Sequence, residues 1–175
     1  MRKKLLYSIT GLLFLSSLLL TSCTELDEIP RDKLTDDVIM ADDSLLINLV
    51  VPPLGQLRGF WLRESYWGIQ ESSSDELCFP TRGTDWFDGG VWQQQWLHTW
   101  TPEHRDIGQV WNNLNRGISQ ANTGLAALGE DENVTDKIKE YRGMLKFLRA
   151  YYMYCLIDLY GISPFREASS TDYTS

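Results

Sequence analysis

Residues 82–111, RGTDWFDGGVWQQQWLHTWTPEHRDIGQVW, hold five of the chain's seven tryptophans: Trp86, Trp92, Trp96, Trp100 and Trp111. An indole is a large flat apolar surface with one N–H donor, so it marks either a core or a recognition surface. Here the indoles are interleaved with Gly83, Asp85, Asp88, Gly89, Gly90 and Pro102, which break regular structure. The chemistry such a stretch offers is stacking plus hydrogen bonding. A pyranose ring presents an apolar C–H face rimmed by hydroxyls, which suits an indole flanked by Arg, Asp or Gln. Arg82, Asp85, Trp86, Trp92 and Trp96 are the candidate contacts, with Trp86, in a stretch flanked by Asp and Gly residues, the one expected to be exposed. The competing reading places most of these indoles in the core. Trp111, inside a regular apolar stripe, is expected there.

Other polar groups carry less. Asp85 and Asp88 lack the alternating ligand spacing of a calcium loop and read as a polar turn. His98 and His104 lie six apart across Pro102, not at the i, i+4 spacing of a helical metal pair. Glu71, Asp75 and Glu76 are neighbours in a Ser-rich stretch, which does not establish two carboxylates held across a glycosidic bond. No phosphate loop, nucleophile elbow or Cys/His pair stands out, so the chain reads as a non-enzyme without metal or cofactor.

The N-terminus sets the compartment. Arg2, Lys3 and Lys4 precede an apolar run from Leu5 to Leu20, shorter than the roughly 20 residues that span a bilayer. The segment ends in Leu20-Thr21-Ser22-Cys23, which resembles a bacterial lipobox. Residues 1–22 are therefore expected to be a lipoprotein signal peptide, Cys23 the lipidated first residue, and residues 23–40 a lipid-anchored tether. The leader holds three basic residues and no acid, so its removal takes the formal charge from −8 to −11. That balance argues against nucleic acid and anionic membrane surfaces as partners. Cys78 and Cys155 remain, able to pair in an oxidising compartment, with Cys155 also readable as a small buried hydrophobe.

Residues 41–175 are expected to be helical. Asp42 or Asp43 caps a short helix through Leu45–Val50, which Pro52-Pro53 stop or kink, and a second piece follows through Leu54, Leu57, Trp61 and Leu62. Residues 64–80 read as a connector with a short helix. Trp92, Trp96 and Trp100 fall at i, i+4 and i+8, one helical face if the segment is helical and not partly extended. Two amphipathic stripes close the chain. Ile107, Val110, Trp111, Leu114, Ile118, Ala121, Leu125 and Leu128 precede Gly129; Ile138, Tyr141, Leu145, Leu148, Tyr152, Cys155 and Leu159 lie between Thr135 as N-cap and Gly161 as C-cap. This is an antiparallel helix pair whose outer faces need neighbours, as in a helical-repeat stack. Arg149 is expected to pair with an acid such as Asp158 or to cap a carbonyl, and Tyr151, Tyr152 and Tyr154 to pack between helices.

The lipobox, LRGFW, the ESSSDE segment, PTRGTDWFDGGVW, HTWTPEH, the W-x-x-L-x-R-G-I-x-x-A-N helix and FLRAYYMYCLIDLYG together resemble the N-terminal part of SusD/RagB-family lipoproteins of Bacteroidetes. The resemblance covers residues 20–165. It implies an all-α fold of tetratricopeptide-like helix pairs with a loop-rich Trp segment. It also implies lipid anchoring at the outer membrane, facing the cell exterior, and capture of oligosaccharide, in some members peptide, for a SusC-like TonB-dependent porin. Family members are much longer, so the chain is expected to be an incomplete domain whose ligand site lacks later segments. The alternative is a structural or peptide-binding helical-repeat lipoprotein.

Overall fold

A computed structural model describes residues 35–165. The signal peptide, Cys23 and most of the tether lie outside the described residues, as does the polar tail. Six α-helices are present there: α1 (Asp36–Ala41), α2 (Val51–Gln56), α3 (Tyr66–Ser73), α4 (Val91–Trp96), α5 (Arg105–Leu128) and α6 (Asp136–Tyr160). Short 3₁₀ turns at Leu46–Leu49, Leu57–Gly59 and Asp88–Gly90 link them. Among the described residues no strand forms, so the fold is all-α; the one departure is an isolated antiparallel bridge between Arg82 and Asp85.

The antiparallel pair α5 and α6 is the frame. Val110, Leu114, Ala121 and Leu128 of α5 meet Leu145, Leu148, Tyr152 and Leu156 of α6 in one buried cluster, the predicted stripes face to face. The Thr135 hydroxyl accepts from the Ile138 amide at 3.4 Å, and Gly161 takes the left-handed cap conformation that ends α6. Close approach is set at Gly117: a Cβ there would lie 2.6 Å from the Tyr152 ring. Tyr152 is fully buried, and its hydroxyl donates to the Pro53 carbonyl, tying α2 to the pair. Leu46, Leu49 and Val50 complete that side of the core.

The N-terminal part differs from expectation. Asp42 caps no helix; its Oδ1 accepts from the Ser44 amide at 2.8 Å in a local turn. Pro52 and Pro53 do not stop a helix but start one, since the first turn of α2 has no intrahelical use for their missing N–H. The end of the expected tether is helical: α1 places Ile39 in the core. Arg149 donates to Asn122 Oδ1 at 3.1 Å and not to Asp158, which accepts from Tyr66 and Gln70. Cys155 is buried and Cys78 exposed, both as free thiols, so they do not pair. Of the three tyrosines only Tyr152 is buried; Tyr154 and Phe147 leave the outer face of α6 apolar and open.

Candidate functional site

The Trp segment is a strained loop bolted to the helix pair. Arg82 and Asp85 exchange backbone hydrogen bonds at 3.1 and 3.0 Å, which closes the RGTD turn. The Thr81 hydroxyl donates to the Trp86 carbonyl at 3.3 Å and accepts from Gln93 Nε2 at 3.3 Å, pinning the loop to α4. Gly89 and Gly90, at φ +70° and +82°, make the sharp entry into α4 that a side chain would oppose. The non-glycine residues with positive φ among those described are Asp75, Trp86, Asp88 and His98, all in this region. For a bulky residue such as Trp86 that conformation is strained by about 1–3 kcal/mol, and such strain gathers at functional sites.

Around Trp86 the aromatic rings form a triangle. Phe79 stacks on Trp86 with centroids 5.9 Å apart and meets Trp92 at 4.7 Å; Trp86 and Trp92 are 6.1 Å apart. The Arg63 guanidinium lies over Trp86 at 4.9 Å and over Trp92 at 5.7 Å, and Arg105 lies over Trp92 at 5.4 Å. Trp86 remains 39 % exposed. Trp92 is only 2 % exposed, and its Nε1–H donates to Asp88 Oδ2 at 2.7 Å. Phe79 and the two guanidinium groups pack against Trp92, which is the floor on which Trp86 rests. Arg82 and Asp85 are exposed beside Trp86, with no side-chain hydrogen-bond partner among the described residues.

Trp96 and Trp100 belong elsewhere. The helix ends at Trp96, which is exposed, and His98 turns the chain away with φ +56°. The expected face of Trp92, Trp96 and Trp100 therefore does not exist. His98 Nε2 donates to the Ser73 carbonyl at 2.7 Å and its ring meets Trp100 edge-on at 5.4 Å. Trp100 then closes a cavity of about 400 Å³ with Ile69, Pro102, Ile107, Leu159 and Tyr160. His104 is buried, donating from Nε2 to the Val91 carbonyl at 3.0 Å. No cluster of metal-ligating side chains forms among the described residues. Glu71 and Glu76 share a hydrogen bond that holds the Glu71 carboxyl above its ordinary range.

Two features are not legible in the spacing. A polar cleft of about 340 Å³ is lined by Arg63, Glu64, Asp88, Trp92, Arg105 and Gln109. Behind it runs a buried chain: the Ser72 hydroxyl donates to Gln95 Oε1, Gln95 Nε2 donates to Asp106 Oδ2 at 2.8 Å, and Arg105 Nε donates to Asp106 Oδ1 at 2.6 Å. That bond raises the affinity of the Arg105 guanidinium for its proton, so the cation over Trp92 is permanent.

Comparison with curated proteins and with solved structures returns no match. A SusD-like family model, described as starch-binding and associating with the outer membrane, matches residues 70–175. That span takes in the strained loop, Trp86, Trp100 and the whole α5–α6 pair, more than half of the sequence, and the chain thus belongs to the SusD-like family.

Proposed function

We propose that this chain is a cell-surface lipoprotein, anchored through Cys23, that binds oligosaccharide and delivers it to a SusC-like TonB-dependent porin without chemical change. The observation that carries the reading is Trp86: an exposed indole held in a strained conformation beside Arg82 and Asp85, with Arg63 on its ring. Strain kept on an exposed aromatic argues for use of its face. Arg63 is a half-exposed, flexible side chain, so an incoming sugar ring can displace it and leave the guanidinium to bond the hydroxyl rim. Affinity from stacking and hydrogen bonds stays modest, which suits handover. Trp86 supplies one wall of the site.

The test is tryptophan fluorescence of the full chain titrated with an oligosaccharide panel that includes malto-oligosaccharides. Saturable quenching lost in Trp86→Ala supports the reading. A flat response across neutral and acidic glycans in a membrane-anchored form overturns it.

The Trp100 cavity favours a second reading. Its lining is mostly apolar and the Tyr160 hydroxyl is already bonded to the Ile107 carbonyl at 2.7 Å, which suits an apolar side chain of a peptide. Peptide-induced changes that disappear in Trp100→Ala, with no response to sugars, would select it.

A further inference from the structure

The polar cleft beside Trp86 has the composition of a hydroxyl-reading site. Its residues come from three separate segments: Arg63 and Glu64 before α3, Asp88 at the entry to α4, and Arg105 and Gln109 on α5. Trp92 forms its base, locked by Asp88. The cleft lies at the small end of the ~300–1,000 Å³ that ligand sites occupy, a volume for a single small unit.

Part of its hydrogen-bonding capacity is unspent. Glu64 Oε2 is buried with no hydrogen-bond partner; the nearest cation, Arg63 Nε, stands at 3.6 Å, too far for one. A buried carboxylate oxygen without a donor is costly, and an incoming hydroxyl would satisfy it. Arg105 spends Nε on Asp106, while its guanidinium plane faces Trp92.

Charge selects the class. The two guanidinium groups face Glu64 and Asp88, and Asp106 stands buried behind Arg105. No positive surplus remains for a carboxylate or sulfate, in a chain whose formal charge is already −8. We infer that this cleft, built on Arg63, Glu64, Asp88, Arg105 and Gln109, binds one neutral hexopyranose unit through its hydroxyls while Trp86 stacks on the adjoining unit. The inference rests on the glycan-binding reading above and assigns that reading a second subsite and a ligand charge.

Position is enforced by Gly68, where a Cβ would lie 1.7 Å from the Arg63 carbonyl oxygen. Any side chain there displaces the backbone that carries Arg63 and Glu64.

The experiment is calorimetric titration of the full chain with maltoheptaose and with an oligogalacturonide of equal length. Glu64→Gln and Gln109→Ala, each checked for an unchanged melting temperature, should weaken maltoheptaose about tenfold, and the acidic oligosaccharide should bind at least tenfold more weakly than the neutral one. Maltoheptaose binding that both variants leave intact but Trp86→Ala abolishes overturns the cleft and spares the glycan reading. Tighter binding of the oligogalacturonide overturns the neutral class. Absence of binding by either glycan defeats the glycan reading, and the cleft with it.

Discussion

Gln95 Nε2 donates to Asp106 Oδ2 at 2.8 Å, and both side chains are buried, at 1 % and 0 % exposure. This one bond joins the end of the Trp loop to the start of α5. With the Ser72 hydroxyl on the other side of the carboxamide, it fixes three helices at one point. Gln95→Leu keeps the volume and removes both bonds; the Ser72 hydroxyl keeps the Gly68 carbonyl at 2.6 Å, but one Asp106 oxygen is left buried without its donor. The expected loss is about 1–3 kcal/mol. Urea denaturation measures it; an unchanged midpoint would mean the loop is held by its aromatic contacts alone.

The approach of α5 to α6 predicts opposite effects for two glycines. At Gly117 a methyl group meets the buried Tyr152 ring at 2.6 Å, and a ring bonded to the Pro53 carbonyl has nowhere to go. Gly117→Ala is expected to destabilise by about 1–3 kcal/mol despite alanine's better helix propensity. Gly143 lies on the exposed side of α6, where an added methyl group would meet nothing within 4 Å, so Gly143→Ala should stabilise by up to about 1 kcal/mol. Thermal melts of the two variants should move in opposite directions.

The helix pair is legible in the sequence because its signal is periodic and repeated, and because Thr135 and Gly161 are caps whose chemistry is local. The proline pair is ambiguous there because a proline in a first turn and a proline ending a helix look alike without the structure. Trp92 escapes the sequence for a different reason. Its burial depends on Phe79, Arg63 and Arg105, none of them a neighbour in the chain. The cleft is invisible on the same ground: three short segments supply its walls, and no spacing within any of them marks it.

Glu71 and Glu76 predict a pH dependence. The Glu71 carboxyl is raised from its ordinary 4.5, first by its hydrogen bond to Glu76. The native state therefore holds the shared proton more tightly than the unfolded chain, and stability falls as pH rises from about 4.5 through the raised value. Above it two carboxylates repel. Glu76→Gln keeps a hydrogen-bonding group and removes one charge, so its melting temperature should exceed the parent's at about pH 7 and converge with it near pH 4. Both groups reach solvent, so the difference should be small and shrink with added salt. A wild-type melting curve that rises between those pH values relative to the variant would refute the shared proton.

Trp86 and Trp92 separate binding from folding. Trp92 is buried and bonded to Asp88, so Trp92→Ala opens a cavity and should cost about 3–5 kcal/mol, with loss of the loop. Trp86 is exposed and strained at φ +57°. Trp86→Gly removes its stacking on Phe79 but also relieves a strain of about 1–3 kcal/mol, so the two effects nearly offset. The melting temperature should barely move, while affinity for a bound oligosaccharide falls about tenfold, or about 1.4 kcal/mol. Fluorescence titration and thermal melts on the same samples decide it. A variant that melts early and binds normally would make Trp86 a structural residue, and the strain at its backbone would then serve the loop's shape and not a ligand.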